Sequence, residues 1–332
     1  MPGFKMPSQY ALAIIDIVEE QTDNELALKL QREFNLENVD IDDWVDTQHF
    51  VKLVNQSLKI TGDSGLGLKL GCRLNITAHG AVGLAMMNAS TLAESLELLS
   101  EYEIILAATL PYYLEKDTKR RYISIWREDG IADYRFSFEV FCGLFSSLMA
   151  ALLQSHDRNL RIEFPYPEPA YSKLYREYFG EDLHFSAPQG RISYDLALEK
   201  SSLPCSNSAL CQFYKRICDK QLQTINVDTA TQRVMLKLWR NRGEYPSLDG
   251  MAKKLGMSKR TLSRHLSLEN TNYQSLLNKV RIEHAEHYLK HSDLSVESIA
   301  IKLGYSDPAN FKRAFRRWTG RSCHEFKSDC SR

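Results

Sequence analysis

Leu248-Asp-Gly-Met-Ala-Lys-Lys-Leu-Gly256-Met-Ser258-Lys-Arg-Thr-Leu-Ser-Arg-His-Leu266 and Val296-Glu-Ser-Ile-Ala-Ile-Lys-Leu-Gly304-Tyr-Ser306-Asp-Pro-Ala-Asn-Phe-Lys-Arg-Ala-Phe315 are two copies of one design. Each reads as a short amphipathic helix, a turn at glycine and a second helix. Gly256 and Gly304 suit the left-handed position that ends a helix. Ser258, and Ser306 or Asp307, suit the cap that begins the next one. A helix, a glycine turn and a basic helix make a helix-turn-helix, whose second helix can enter a DNA major groove.

Spacing divides the labour within each second helix. Leu262 and Leu266 are four apart, as are Phe311 and Phe315, so each pair shares a face and belongs to a core. The opposite faces are polar: Lys259, Arg260, Ser263 and Arg264 in the first copy, Asn310, Lys312 and Arg313 in the second. A basic helix face is ordinarily just solvated. Its recurrence on the second helix of both copies points to DNA. Arg260 and Arg264 suit bidentate contact with guanine. Arg316, Arg317 and Arg321, at and beyond the end of the second copy, suit phosphate contact together with Lys312. Between the copies, Tyr273 to His291 is helical by composition. At about 1.5 Å per residue it spans roughly 28 Å, long enough to hold two recognition helices near one turn of B-DNA apart, about 34–36 Å.

Residues 229–328 resemble the DNA-binding domain of the AraC/XylS family of bacterial transcription regulators. The second copy carries the specific run: Ile299-Ala300, Gly304-Tyr305, Phe311, Phe315-Arg316, Gly320 and Phe326-Lys327. Cys323 stands where the family usually has Pro, and Lys327 where it has Arg. Pro308 and Ala309 occupy positions that contact bases in many members, so the resemblance adds them to Asn310 and Arg313 as base contacts.

Charge separates two halves. The chain has 332 residues and no net charge, with 42 basic and 42 acidic residues. Thr231 to Arg332 holds 20 Lys and Arg against 10 Asp and Glu, a net of +10; the first 230 residues therefore carry −10. This length suggests two domains, one facing nucleic acid and an acidic one with another task. No secretory signal is visible at the N-terminus. No uncharged apolar run is long enough to predict a membrane span; Phe138 to Leu153 comes closest and reads as a buried core helix. Seven scattered cysteines fit a reducing cytoplasm.

The acidic half reads as helices over 8–33 (two, breaking near Asn24), 42–60, 91–108 and Phe141–Leu153. Leu26, Leu28 and Leu30 begin the stripe of the second helix, and Trp44 belongs to the inner face of the helix over 42–60. Tyr112–Leu114, Arg121–Trp126 and Tyr134–Glu139 read as strands of a small antiparallel sheet that Phe141–Leu153 should cover. Leu160–Phe164, Leu183–Ala187 and Arg191–Asp195 read as further strands, with helices at Tyr171–Phe179 and Leu210–Leu222. The fold class is thus mostly α with a small β component: an α+β domain over 1–225, a linker near 223–229, and an all-α domain over 229–332 with helix-turn-helix units at 248–267 and 296–318. Tyr175-x-x-Tyr-Phe179-Gly180-x-x-Leu-His-Phe185-Ser-Ala187, with Ile192-x-Tyr194 and Leu203-Pro204, resembles the "arabinose-binding" N-terminal domain of AraC/XylS regulators. That label does not imply arabinose as the ligand.

Other constellations carry less. Gly62 to Gly71 lacks the Gly-Lys-Ser/Thr ending of a phosphate loop and reads as helix ends and close packing. His79 is structural. His284, His287 and His291 could approach a metal, yet no further ligand is set to join them; the plain reading is a solvated or phosphate-facing helix. Cys205, Cys211 and Cys218 read as packed, reduced residues. No cofactor, metal or enzymatic motif is expected. The resemblance implies double-stranded DNA, a small-molecule effector, a second copy of the chain and RNA polymerase as partners of an activator. Phe141, Phe145, Met149 and Leu152, one helical stripe, are the effector-lining candidates. A constitutive DNA-binding protein whose N-terminal domain only dimerises is the alternative.

Overall fold

The computed structural model describes residues 5–40, 43–102, 112–125, 134–154, 160–224, 229–240, 245–291 and 294–330. The chain divides into two compact units, Met1–Leu110 with Lys116–Ile225, and Asn226–Arg332 with Pro111–Glu115.

In the first unit, β1 (Lys5–Pro7) pairs antiparallel with β2 (Trp44–Asp46), in the register Met6↔Val45. Trp44 is therefore a strand residue, and the helix expected over 42–60 is α3 (Thr47–Thr61), begun by the Asp46 carboxylate at the Gln48 and His49 amides. The pattern near Trp44 could not show this, because the partner strand lies far away in sequence. α1 (Ser8–Gln21) and α2 (Asn24–Glu33) join α3 in one hydrophobic cluster, with Ile14, Val18, Leu30, Leu53 and Val54 inside. Asp23 accepts from the Leu26 amide and begins α2. Leu28 is exposed, and Ala27 and Leu30 form the buried face instead.

α4 (Leu66–Arg73) crosses α7 (Tyr134–Leu153) at glycines. A Cβ on Gly71 would lie 2.3 Å from the Val140 carbonyl oxygen, and one on Gly143 would lie 2.5 Å from the Gly71 carbonyl carbon. Hydrogen at these positions is what lets the two backbones meet. α5 (Gly80–Met87) packs against α6 (Leu92–Tyr102) and α9 (Ser208–Thr224). Residues 103–108 of the helix expected over 91–108, and Trp126, lie outside the described residues, as does most of the linker.

The sheet has the order β3 (Tyr112–Lys116), β4 (Arg120–Ile125), β7 (Arg191–Asp195), β5 (Arg161–Glu163) and β6 (Leu183–His184). It is mixed rather than antiparallel, since β5 and β6 run parallel. Ile123, Ile192 and Ile162 are in register and form one buried row across it. Tyr134–Glu139 is not a strand of this sheet but the first turns of α7. Its aromatic alternation is overridden by packing: the Phe138 ring sits 5.7 Å from Phe164 and 6.4 Å from Tyr166. By length and composition α7 could cross a membrane; here Phe138, Cys142, Phe145, Met149 and Leu152 are buried in the core. α8 (Ser172–Phe179) adds Tyr175 and Phe179 to the same aromatic core.

Apart from Pro111–Glu115, the described residues of the second unit form helices: α10 (Ala230–Arg240), α11 (Leu248–Lys254), α12 (Lys259–Leu268), α13 (Tyr273–His291), α14 (Val296–Lys302), α15 (Pro308–Thr319) and α16 (Cys323–Cys330). The Glu269 carboxylate accepts from the Ala230 and Thr231 amides at 2.7 and 2.8 Å and so caps α10. Two separate hydrophobic clusters form along α13, one with α10–α12 and one with α14–α16.

Candidate nucleic-acid interface

α11–α12 and α14–α15 are the two helix-turn-helix units, and their second helices carry the candidate site. Ser258 accepts from the Thr261 amide at 3.1 Å and begins α12. Asp307 rather than Ser306 begins α15, accepting from the Ala309 amide at 2.9 Å. Pro308 at the first position gives up a donor that the first turn would leave unpaired. Gly256 and Gly304 have φ of +66° and +73°, the left-handed turn expected of them. The first helices use the same device: Ser247 accepts from the Gly250 amide and Ser295 from the Ser298 amide. The sequence reading missed these two caps, although a serine directly before an apolar-periodic run is their signal.

Leu262, Leu266, Phe311 and Phe315 are buried, turning the opposite faces outward. Lys259, Arg260 and Arg264 are exposed and Ser263 is half-buried beside them. On α15, Ala309, Asn310, Lys312, Arg313, Arg316 and Arg317 are exposed, as is Arg321 beyond it; Pro308 is half-buried. Arg313 donates to the Asn310 side-chain oxygen at 2.6 Å, which holds these two exposed side chains together. Lys312 pairs with Glu297 of α14 at 2.7 Å, both half-exposed. Such a surface pair contributes little to stability.

The spacer helix differs from its reading. His284 and His287 are buried, not solvated or turned to phosphate, because helices of both helix-turn-helix units pack along α13. His284 Nδ1 lies 2.8 Å from the Tyr245 hydroxyl. The effector candidates lie in the other unit. Phe145, Met149 and Leu152 are buried and Phe141 is half-buried, its ring stacked on Phe145 at 6.3 Å. Phe145 in turn stacks on Tyr194 at 6.1 Å. Cys211 and Cys218 are packed, whereas Cys205 is exposed and accepts from Gln154.

Residues 9–202 match the family model described as the arabinose-binding domain of AraC transcription regulator, N-terminal, and residues 251–329 match a helix-turn-helix domain model. The chain is 30% identical to the ornithine utilization regulator of Pseudomonas aeruginosa, across 97% of this chain and 96% of that protein. The chain belongs to the AraC/XylS family of transcription regulators. A second relative of this AraC/XylS regulator is VqsM of the same organism, 29% identical over 79% of this chain and 83% of that one. The crystal structure of CdpR from P. aeruginosa aligns over 93% of this chain and 99% of that one, with 24% identity and a TM-score of 0.45. As an AraC/XylS member the chain is a helix-turn-helix transcription regulator, of a family that is not enzymatic.

Proposed function

We propose that this regulator reads two sets of bases with α12 and α15 and that a small molecule bound by residues 1–225 controls that reading. The observation that supports it most is the matched pair of capped, outward-facing basic helices on one spacer helix. Lys259, Arg260, Ser263 and Arg264 contact bases from the first unit, and Pro308, Ala309, Asn310 and Arg313 from the second. Lys312, Arg316, Arg317 and Arg321 contact phosphates. The stripe Phe141, Phe145, Met149 and Leu152 lines the effector site. The relative named for ornithine utilization makes ornithine the first compound to test. Residues 1–225 also pair two copies, and residues 229–332 hold the DNA. The protein works in the cytoplasm, as an activator that meets RNA polymerase.

The test uses the intact chain and the fragments 1–225 and 229–332. Sedimentation reads pairing, and titration of a duplex selected by the intact chain reads DNA binding, with and without ornithine or fractions of host extract. The acidic fragment should pair and ignore DNA, because its net charge of −9, that of the first 230 residues without Asp228, repels phosphate. The basic fragment should bind more weakly than the intact chain, since pairing raises the local concentration of the second contact. Binding that ignores every compound and fraction would favour a constitutive regulator whose first domain only dimerises.

A further inference from the structure

We infer that Arg281 fixes the spacing at which the two recognition helices read DNA, without itself touching DNA. This inference rests on the two-helix reading above. Tyr273, Leu276, Leu277 and Val280 of α13 belong to the first hydrophobic cluster, with Val234, Met251 and Leu262. Ala285, Tyr288 and Leu289 belong to the second, with Ile299, Phe311 and Phe315. Arg281 lies on the turn between the two clusters. Its guanidinium carbon is 5.1 Å from the Tyr245 ring centroid and 4.8 Å from that of Tyr305.

Each ring belongs to a different unit. Tyr245 packs on the first cluster, and its hydroxyl meets His284 of α13 at 2.8 Å. Tyr305 stands in the turn between α14 and α15, its ring 5.5 Å from that of Phe311, a core residue of α15. A shift of Tyr305 is therefore passed to the recognition helix. A long helix is rarely straight but curves gently, so the helical backbone of α13 does not by itself fix one angle between the two helix-turn-helix units. A planar cation held between two aromatic faces resists that bending. Arg281 is thus a positioning residue: its effect falls on the geometry between base sets, not on the bases chosen.

The test is selection from a duplex library with a random core of about 30 base pairs, enough for two half-sites one turn apart. The intact chain and its Arg281→Ala, Tyr305→Leu and Tyr305→Phe variants are each selected. The parent should return two base sets at one spacing. Inserting one base pair between them moves one set by about 3.4 Å along and roughly 35° around the duplex, and should weaken the parent about tenfold or more. Arg281→Ala and Tyr305→Leu should return the same bases at a spread of spacings, with an insertion penalty below about threefold, because a loosened joint tolerates the mismatch. Tyr305→Phe keeps the ring and should behave as the parent. A single unchanged spacing for Arg281→Ala overturns the inference, and so does the loss of one base set, which would make Arg281 a base contact. A parent that returns only one base set instead sinks the two-helix reading. Circular dichroism melts check folding; should the first two variants not fold, Arg281→Lys, which keeps the charge but loses the planar fork, carries the same comparison.

Discussion

Replacing Glu139 with Gln should remove a pH dependence built into the core of the first unit. Glu139 is fully buried on α7, and both Tyr171 and Tyr175 reach its Oε1. Gly67 closes over the other oxygen, where a Cβ would lie 3.0 Å away. The Tyr171 hydroxyl oxygen is 2.8 Å from Oε1 and 2.8 Å from the Ser64 carbonyl, with one proton for two acceptors. A protonated Glu139 resolves this by donating to Tyr171 while Tyr171 donates to Ser64. Burial pushes the carboxyl up from 4.5 to about 7, against the lowering effect of Tyr175, Tyr171 and Arg135. The folded chain thus holds a proton that the unfolded chain has already released. The contribution is fully present below 4.5 and is lost as pH rises through about 7. The full loss corresponds to roughly 3 kcal/mol, of which about 2.5 kcal/mol falls between about pH 5 and pH 8. Gln keeps an acceptor and cannot ionise. Urea titrations at both pH values, read by hydrogen exchange of peptides from Tyr134–Leu153, isolate this unit. The stability of the parent relative to Glu139→Gln should fall by that amount on going to the higher pH. An equal difference at both would refute a proton held on Glu139.

Three further outcomes are expected. Arg264→Ala should weaken the selected duplex by about 1–3 kcal/mol more than random DNA, in paired titrations; equal weakening would confine Arg264 to phosphate. Arg316→Gln should lower the slope of log affinity against log salt by about 1, and an unchanged slope removes Arg316 from the interface. Gly71→Ala should destabilise the first unit by about 3 kcal/mol in urea melts, the upper end for overpacking, because its Cβ would lie 2.3 Å from the Val140 oxygen; a neutral result would mean that α4 and α7 can part cheaply.

The second unit was legible because its determinants are local. Gly256, Gly304, Ser258, the four-residue spacing of Leu262–Leu266 and Phe311–Phe315, and the division of charge all act within a turn or two of helix or through composition alone. Those features decided the two helix-turn-helix units, the outward basic faces and the length of α13. Tertiary structure decided what depends on distant partners. Tyr134–Glu139 has the alternation of a strand, yet the aromatic core around Phe164 and the glycine crossing with α4 make it helix. Trp44 joins a strand whose partner begins at Lys5. His284 and His287 are spaced as on a solvated face but are buried by helices from both sides. Arg281 is one more basic residue of a helix in the sequence; only folding places Tyr245 and Tyr305 on either side of it, because aromatic contacts across a chain leave no period in the residues that make them.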